Sequence, residues 1–410
     1  MKIDFLPDRY PKAVLKETRP AVFRCLEARG ILEGKNDLVR FAGIASVKPD
    51  ECTVFLPHGL ATGSEGNRTS LAKLAMAAIS KYARDFSRPG EAEGEEEGLT
   101  YVAAMVAIAE DFRDNGIYSE RLRISSFNSG KPDWRSTFRR ELPMLAASGA
   151  PVFGNIRTAR PFSSNNNVLA IVQAAVVKEL SDRHGWWLER YFGTRPVPRD
   201  VPVPEWPREL WAAMLGKFRQ NLFAERPLLL ARFLETYLDG NPEAGDGAVV
   251  CGISDFSAVW EKMLQQVLPG TECGWNSRLP GPRYTFHDGS AEDSGRMAMD
   301  IVVRDDFGLM VADAKYYQAK SVGNAPGWAD IVKQIYYAEA LETVVDEGTQ
   351  IRTCFIFPHA PNSNSVLKTV GMHKSGGDPE PRFPQVKCYY ADTAIVADAY
   401  CSGRKIAPLF

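Results

Sequence analysis

"MDIVVRDDFGLMVADAKYY", residues 299–317, decides how this chain is read. Asp300 precedes an apolar run from Ile301 to Val303. A turn-prone segment follows from Arg304 to Gly308, and a second run then delivers Asp313, Ala314 and Lys315 at its far end. Short apolar runs bounded by turn formers read as buried strands, and a short turn pairs two of them antiparallel. That pairing folds the start of the first strand against the end of the second. Asp313 and Lys315 are two apart, so they share a face, with Asp300 beside them. Two carboxylates meeting this way repel unless a cation stands between them, and oxygen ligands of this type suit Mg²⁺. The expectation is a metal site with a lysine beside it, the lysine's pKa lowered by the ion.

Around this hairpin the pattern gives a helix over about 255–268, strands near 299–304 and 309–314, and a helix over 327–345. Strands at 351–357 and 386–391 and a short last helix follow. Such alternation predicts an α/β fold, a mixed sheet flanked by helices. "DGNPEAGDG", residues 239–247, consists of turn formers with Ala244 as its one apolar residue, and the domain boundary is expected there. The division is an N-terminal α+β region over 1–240 and a C-terminal domain over 241–410.

In the first region, "DLVRFAGIASVKPDECTVFLPHGL" (37–60) reads as two strands around Pro49-Asp50. Leu71, Leu74, Ala75, Ala78, Ile79 and Tyr82, then Val102, Met105, Val106, Ala109 and Phe112, keep helical spacing. The acidic stretch between them, 88–98, reads as a solvated loop. A further helix is capped by the asparagines before Val168, and one helical segment is expected from about Glu209 to Leu238. "RPVPRDVPVPEWP" (195–207) reads as a stiff connector. "NSGKPDWRSTFRREL" (128–142) sets Arg135, Arg139 and Arg140 on one helix face, with Arg157 and Arg160 nearby. The face is either a phosphate-binding patch for DNA or a solvated helix surface.

With 410 residues, 45% hydrophobic and 24% charged, the chain has the balance of a globular protein of two or three domains. A net charge of -2 gives no global basic field, so any nucleic-acid contact must come from local cations. The 7 cysteines never form a CxxC pair and the 5 histidines stand apart from them, so no zinc spacing appears. No signal-like apolar run opens the sequence and no stretch is long enough for a membrane span, which makes the cytoplasm the expected address, without a membrane partner.

The Asp300 and Asp313-Ala314-Lys315 arrangement resembles the PD-(D/E)xK nuclease superfamily, with Met299 standing where the motif's proline would be. The resemblance implies that Asp300, Asp313 and the carbonyl of Ala314 hold Mg²⁺, with Mn²⁺ able to substitute. It also implies that Lys315 orients or activates the water attacking a phosphodiester. In "FSAVWEKML" (256–264), Glu261 matches the acid that the superfamily adds from this helix, unless it is only a solvated glutamate. In "IVKQIYYAEAL" (331–341), Gln334 and Tyr337 are similar to its Q-x-x-Y elaboration.

Gly130, Trp134 and Thr137 in "SGKPDWRSTF" (129–138), with "PVFGNI" (151–156), the helix "NNNVLAIVQAAVVKELSDRHGW" (165–186) and "TVFLPHGL" (53–60), resemble the LlaJI-type restriction endonucleases. That resemblance implies a subunit of a restriction or anti-phage defence system that cleaves double-stranded DNA. It implies partnership with a McrB-like AAA+ GTPase and with DNA methyltransferases, and it leaves a homo-oligomer open. The alternatives are a McrC-like subunit that cuts modified DNA and stimulates the motor, and a non-catalytic DNA-binding or scaffold subunit. These 410 residues contain no GxxxxGK[ST] loop, so the nucleotide is expected on another chain.

Overall fold

The computed structural model describes residues 2–33, 37–48, 51–60, 65–86, 97–199, 206–239, 249–295, 297–359, 366–375 and 377–410. The acidic stretch from 88 to 96, positions 200–205 of the proline-rich stretch and the break at 240–247 lie outside the described residues. The architecture is mixed α/β with several sheets, as the alternation predicts. No helix among the described residues is long and apolar enough to cross a membrane.

The chain divides into two compact units, one made of Met1–Ala103 with Gly245–Phe410 and the other of Ala104–Ala244. This grouping differs from the two-part division at 240, because the first hundred residues belong with the last. The reason is a shared sheet. Its order is Lys2–Pro7, Glu51–Leu56, Ala42–Lys48, Val249–Ile253, so a strand beyond the expected boundary pairs with one from the N-terminal region. Gly43 faces Gly252 in that pairing, and a Cβ on either would stand 2.3 Å from a backbone oxygen of the other strand. Leu6, Phe55 and Val250 from these strands and Phe41 just before Ala42–Lys48 bury together with Leu15, Phe23 and Leu26 from the two helices between Lys2–Pro7 and Ala42–Lys48.

The second sheet of this unit has six strands in the order Thr271–Glu272, Ile301–Asp305, Gly308–Ala314, Ile351–His359, Val386–Asp392, Thr369–Val370. The hairpin is antiparallel, whereas Gly308–Ala314, Ile351–His359 and Val386–Asp392 run parallel. Gly308–Ala314 is thus an inner strand, and its five residues from Leu309 to Asp313 are all buried, which is why its sequence reads as continuous rather than alternating. The helix Trp328–Glu342 supplies Tyr337, Ala340 and Leu341 to a core with Val302, Leu309 and Val311. Strands, flanking helices Ser257–Val267 and Trp328–Glu342, and the last helix Thr393–Ser402 all fall where the sequence puts them.

The other unit holds a three-stranded sheet of Glu120–Phe127, Arg157–Ser164 and Lys131–Pro132, and the long helix Val168–Phe192 capped by the Asn167 side chain. The single helical segment expected from Glu209 to Leu238 is instead two helices, Trp211–Arg219 and Glu225–Asp239. They pack on each other across the interruption at Gln220–Ala224, where Arg219 bonds Glu235 at 3.1 Å.

Candidate active site

The hairpin register sets Ile301 opposite Ala312, which leaves Asp300 beside Asp313 at the end of the ladder. Asp300 occupies the bend before its strand and accepts the Ala314 amide on Oδ2 at 2.9 Å, so its carboxylate is turned across the hairpin's open end. Asp313 is 8% exposed, buried by its place on an inner strand. Lys315 follows directly, its amide donating to Ile356 of the parallel neighbour at 2.9 Å.

The Lys315 ammonium stands 2.6 Å from Asp313 Oδ2, a charge contact rather than an aligned hydrogen bond, and donates to Asp330 Oδ1 at 2.7 Å. Asp330 lies in the first turn of the helix Trp328–Glu342, where its other oxygen accepts the Gly327 amide at 3.1 Å. This pair acts on Lys315 in the opposite direction to the lowering expected from a neighbouring cation. Burial pulls it down, but the charge of Asp313 and the close contacts with both carboxylates outweigh burial and hold it above the ordinary lysine value. The two carboxylates therefore favour the charged ammonium.

Glu261 is half-buried on Ser257–Val267 and is not simply solvated. Its carboxyl is pushed up by burial and then by the charge of Asp313. Gln265, one turn on, donates to Glu261 Oε1 at 3.0 Å and to the Asp300 carbonyl at 2.9 Å, fastening this helix to the start of the hairpin. Asp300 is shifted the same way. Burial first, then Asp313 and Glu261, raise its pKa to about 7.

Gln334 is fully buried, one helical turn from Asp330, and neither its amide oxygen nor its nitrogen has a hydrogen-bond partner among the described residues. Tyr337 donates its hydroxyl to the Ala298 carbonyl, and its pKa is raised to about 12, by burial first and then by Asp300 and Asp313. The structure thus brings Glu261, Asp300, Asp313 and Lys315 together, and adds Asp330 and Gln265, which sequence reasoning missed. Asp330 had a readable signal only as a helix-capping acid, and Gln265 only as the i+4 neighbour of Glu261.

Among the described residues no three His, Cys, Asp and Glu side chains form a metal cage. The donor set nonetheless suits Mg²⁺. All candidate ligands are oxygens, from Asp300, Asp313 and the Ala314 carbonyl, and Mg²⁺ binds through one or two carboxylates while keeping several waters. A cation there would offset the crowding that raises Asp300.

In the other unit Arg135, Arg139 and Arg140 are exposed on the helix Trp134–Arg140, without an ion pair among the described residues. Arg157 differs. It bonds Glu141 at 2.6 Å and lies over the Phe127 ring, so its charge is already engaged. The Arg160 side chain lies outside the described residues. The arginine face also exposes Trp134 and Phe138, stacked at 5.8 Å.

A family model described as LlaJI restriction endonuclease matches residues 41–376. A curated relative, the Type II restriction enzyme BsuMI component YdjA of Bacillus subtilis (strain 168), is 22% identical over 302 residues, which is 68% of this chain and 59% of that protein. The chain therefore spans less than two thirds of the relative's length. Among solved structures, the half-complex of Thermococcus gammatolerans McrB AAA+ hexamers with bound McrC contains a chain similar at a TM-score of 0.42 and 12% identity, with 98% of each chain covered. The cryo-EM structure of the Thermococcus gammatolerans McrBC complex matches at a TM-score of 0.31 and 10% identity over 64% of this chain and 86% of that one.

Proposed function

The chain belongs to the LlaJI restriction endonuclease family, and on that ground we propose that it is a metal-dependent endodeoxyribonuclease of a restriction or anti-phage defence system. Its hydrolysis of DNA phosphodiesters is assigned to the open end of the 301–314 hairpin, in a PD-(D/E)xK core. The observation that carries the reading is the meeting of Asp300, Asp313 and Lys315, with Asp300 turned onto the Ala314 amide and Lys315 held at 2.6 Å and 2.7 Å by two carboxylates. Acids raised by burial and then by a neighbouring carboxylate's charge, beside a half-buried lysine, are an arrangement with a structural cost, and such costs concentrate at working sites.

Asp300, Asp313 and the Ala314 carbonyl would hold Mg²⁺ or Mn²⁺. A bound ion there supplies positive charge for the phosphoryl oxygens and a more acidic water. Lys315, kept protonated, stabilises the negative charge that builds on the phosphoryl group and orients a water by donating to it, rather than acting as a base. Glu261, raised by burial, takes a share of the same shell or receives a proton from it. Gln334 has two amide protons and an oxygen without partners among the described residues, which suits it to hold a buried water one helical turn from Asp330. A McrB-like AAA+ GTPase partner follows from the family resemblance alone, which leaves a homo-oligomer open.

The test is the full chain with supercoiled plasmid, in Mg²⁺ and in EDTA, with and without a candidate motor and GTP. Cutting confined to Mg²⁺ or Mn²⁺ is expected. Equal cutting in EDTA, or none in any arm, would overturn the reading, while cutting that waits for motor and GTP would support the partner.

A further inference from the structure

A cleft of about 510 Å³ opens beside the candidate site, and Asp330, which holds Lys315, forms part of its wall. Arg9, His58, Tyr317, Lys320 and Gly327 line it as well. None of these was expected to act from the sequence, and Arg9 lies 307 positions from Tyr316, whose carbonyl it meets. Resting on the nuclease reading above, we propose that this cleft binds a backbone phosphate of the DNA strand next to the phosphate attacked at Lys315, with Arg9 and Lys320 as its cationic contacts.

Arg9 is held ready for this. The preceding Asp8 is buried and accepts the Tyr316 hydroxyl at 2.6 Å, while the Arg9 guanidinium donates to the Tyr316 carbonyl and lies 5.5 Å over the Tyr316 ring. Tyr316 follows Lys315 directly, so the arginine is fastened to the backbone that carries the lysine. No carboxylate among the described residues pairs with Arg9 or Lys320, whereas the acid on the wall, Asp330, is already engaged by Lys315 and the Gly327 amide. The cleft thus carries two cations without a salt bridge among the described residues, and one acid that Lys315 already holds. His58 reports the same field. After burial, the charges of Arg9 and Lys320 help push its pKa down to about 4, and its buried Nε2 has no partner among the described residues. The volume is that of a small-ligand pocket, enough for a nucleotide unit and not only an ion. A phosphate placed there can be continuous with one at Lys315, which favours a strand of DNA over a free anion.

The experiment is binding of a short duplex by the full chain in EDTA, read by fluorescence anisotropy across a salt series. Arg9→Gln with Lys320→Gln should weaken binding roughly tenfold, by loss of charge-assisted hydrogen bonds, and reduce the salt slope by about one, as for one lost phosphate contact. Should the double variant fail to fold, Lys320→Gln alone, at an exposed position, must still reduce the slope. Arg9→Lys, which keeps the charge, should restore most of it. An unchanged slope and affinity in these variants would overturn the proposal. So would inorganic phosphate raising the melting temperature of the parent chain but not of the double variant while the DNA slope stays unchanged, since the cleft would then serve a free anion. Loss of slope in a chain that cuts no DNA would sink the nuclease reading and leave the cleft standing.

Discussion

Lys315 shows how a single contact changes the chemistry assigned to a residue. From the sequence, a lysine beside a cation is expected to lose its proton easily. The structure sets Asp330 at 2.7 Å on its other side, and the two carboxylates favour the charged ammonium. Asp300 moves the other way. It is buried with Asp313 and Glu261 and is raised to about 7. A carboxyl whose folded pKa is raised contributes stability below its unfolded value, near 3.8, and loses that contribution as pH climbs through about 7. Asp300→Asn keeps an acceptor for the Ala314 amide and removes the titration. In EDTA the variant should match the parent near pH 4 and exceed it at pH 8 by on the order of 2 kcal/mol, a few degrees of melting temperature. Melts at the two pH values measure this. An equal or lower midpoint at pH 8 would show that the three acids are not crowded.

The hairpin is the element that sequence reading recovered best, because both of its strands and its turn are local. Apolar runs of this length with a glycine at the turn leave few other pairings. The turn depends on Gly308, whose φ is +128° and whose Cβ, if present, would stand 2.2 Å from the Gln350 carbonyl. Gly308→Ala should therefore cost roughly 2 kcal/mol or more and misplace Asp313 relative to Asp300. Denaturant melts and metal-dependent cutting should both suffer, and a variant with parental stability would contradict the close approach. Other elements were less legible. The pattern from Glu209 to Leu238 stays helical in period on both sides of Gln220–Ala224, so periodicity alone could not show that the chain reverses there. Likewise Asp330 and Gln265 carried only capping and i+4 signals, which many helices share. Their role appears only once Lys315 and Asp300 are packed against them.

At the scale of the molecule, the composition break after Leu238 marks a change of unit but not the end of a domain. Strand pairing between residues hundreds of positions apart leaves no local trace, and Gly43 against Gly252 is one such contact. The unit that carries the candidate site needs its N-terminal strands. A fragment of residues 249–410 would expose Val249, Val250, Cys251 and Ile253, all buried against Ala42–Lys48, at about 2 kcal/mol for each aliphatic side chain. It would also lose the Asp8 contact with Tyr316. Such a fragment should show no cooperative melt, and one that melts like the full chain would mean that the C-terminal part folds by itself. The claim on which the rest depends is that Asp300, Asp313 and Lys315 together cleave DNA. It is tested most directly by the single-turnover rate of plasmid cutting in Mg²⁺ for the full chain and for Asp313→Ala and Lys315→Ala, each checked for an intact thermal melt. Both variants should lose at least about a hundredfold in rate, the scale for removing a preorganised charge at a reacting phosphate, and Lys315→Ala cutting at the parental rate would contradict the account.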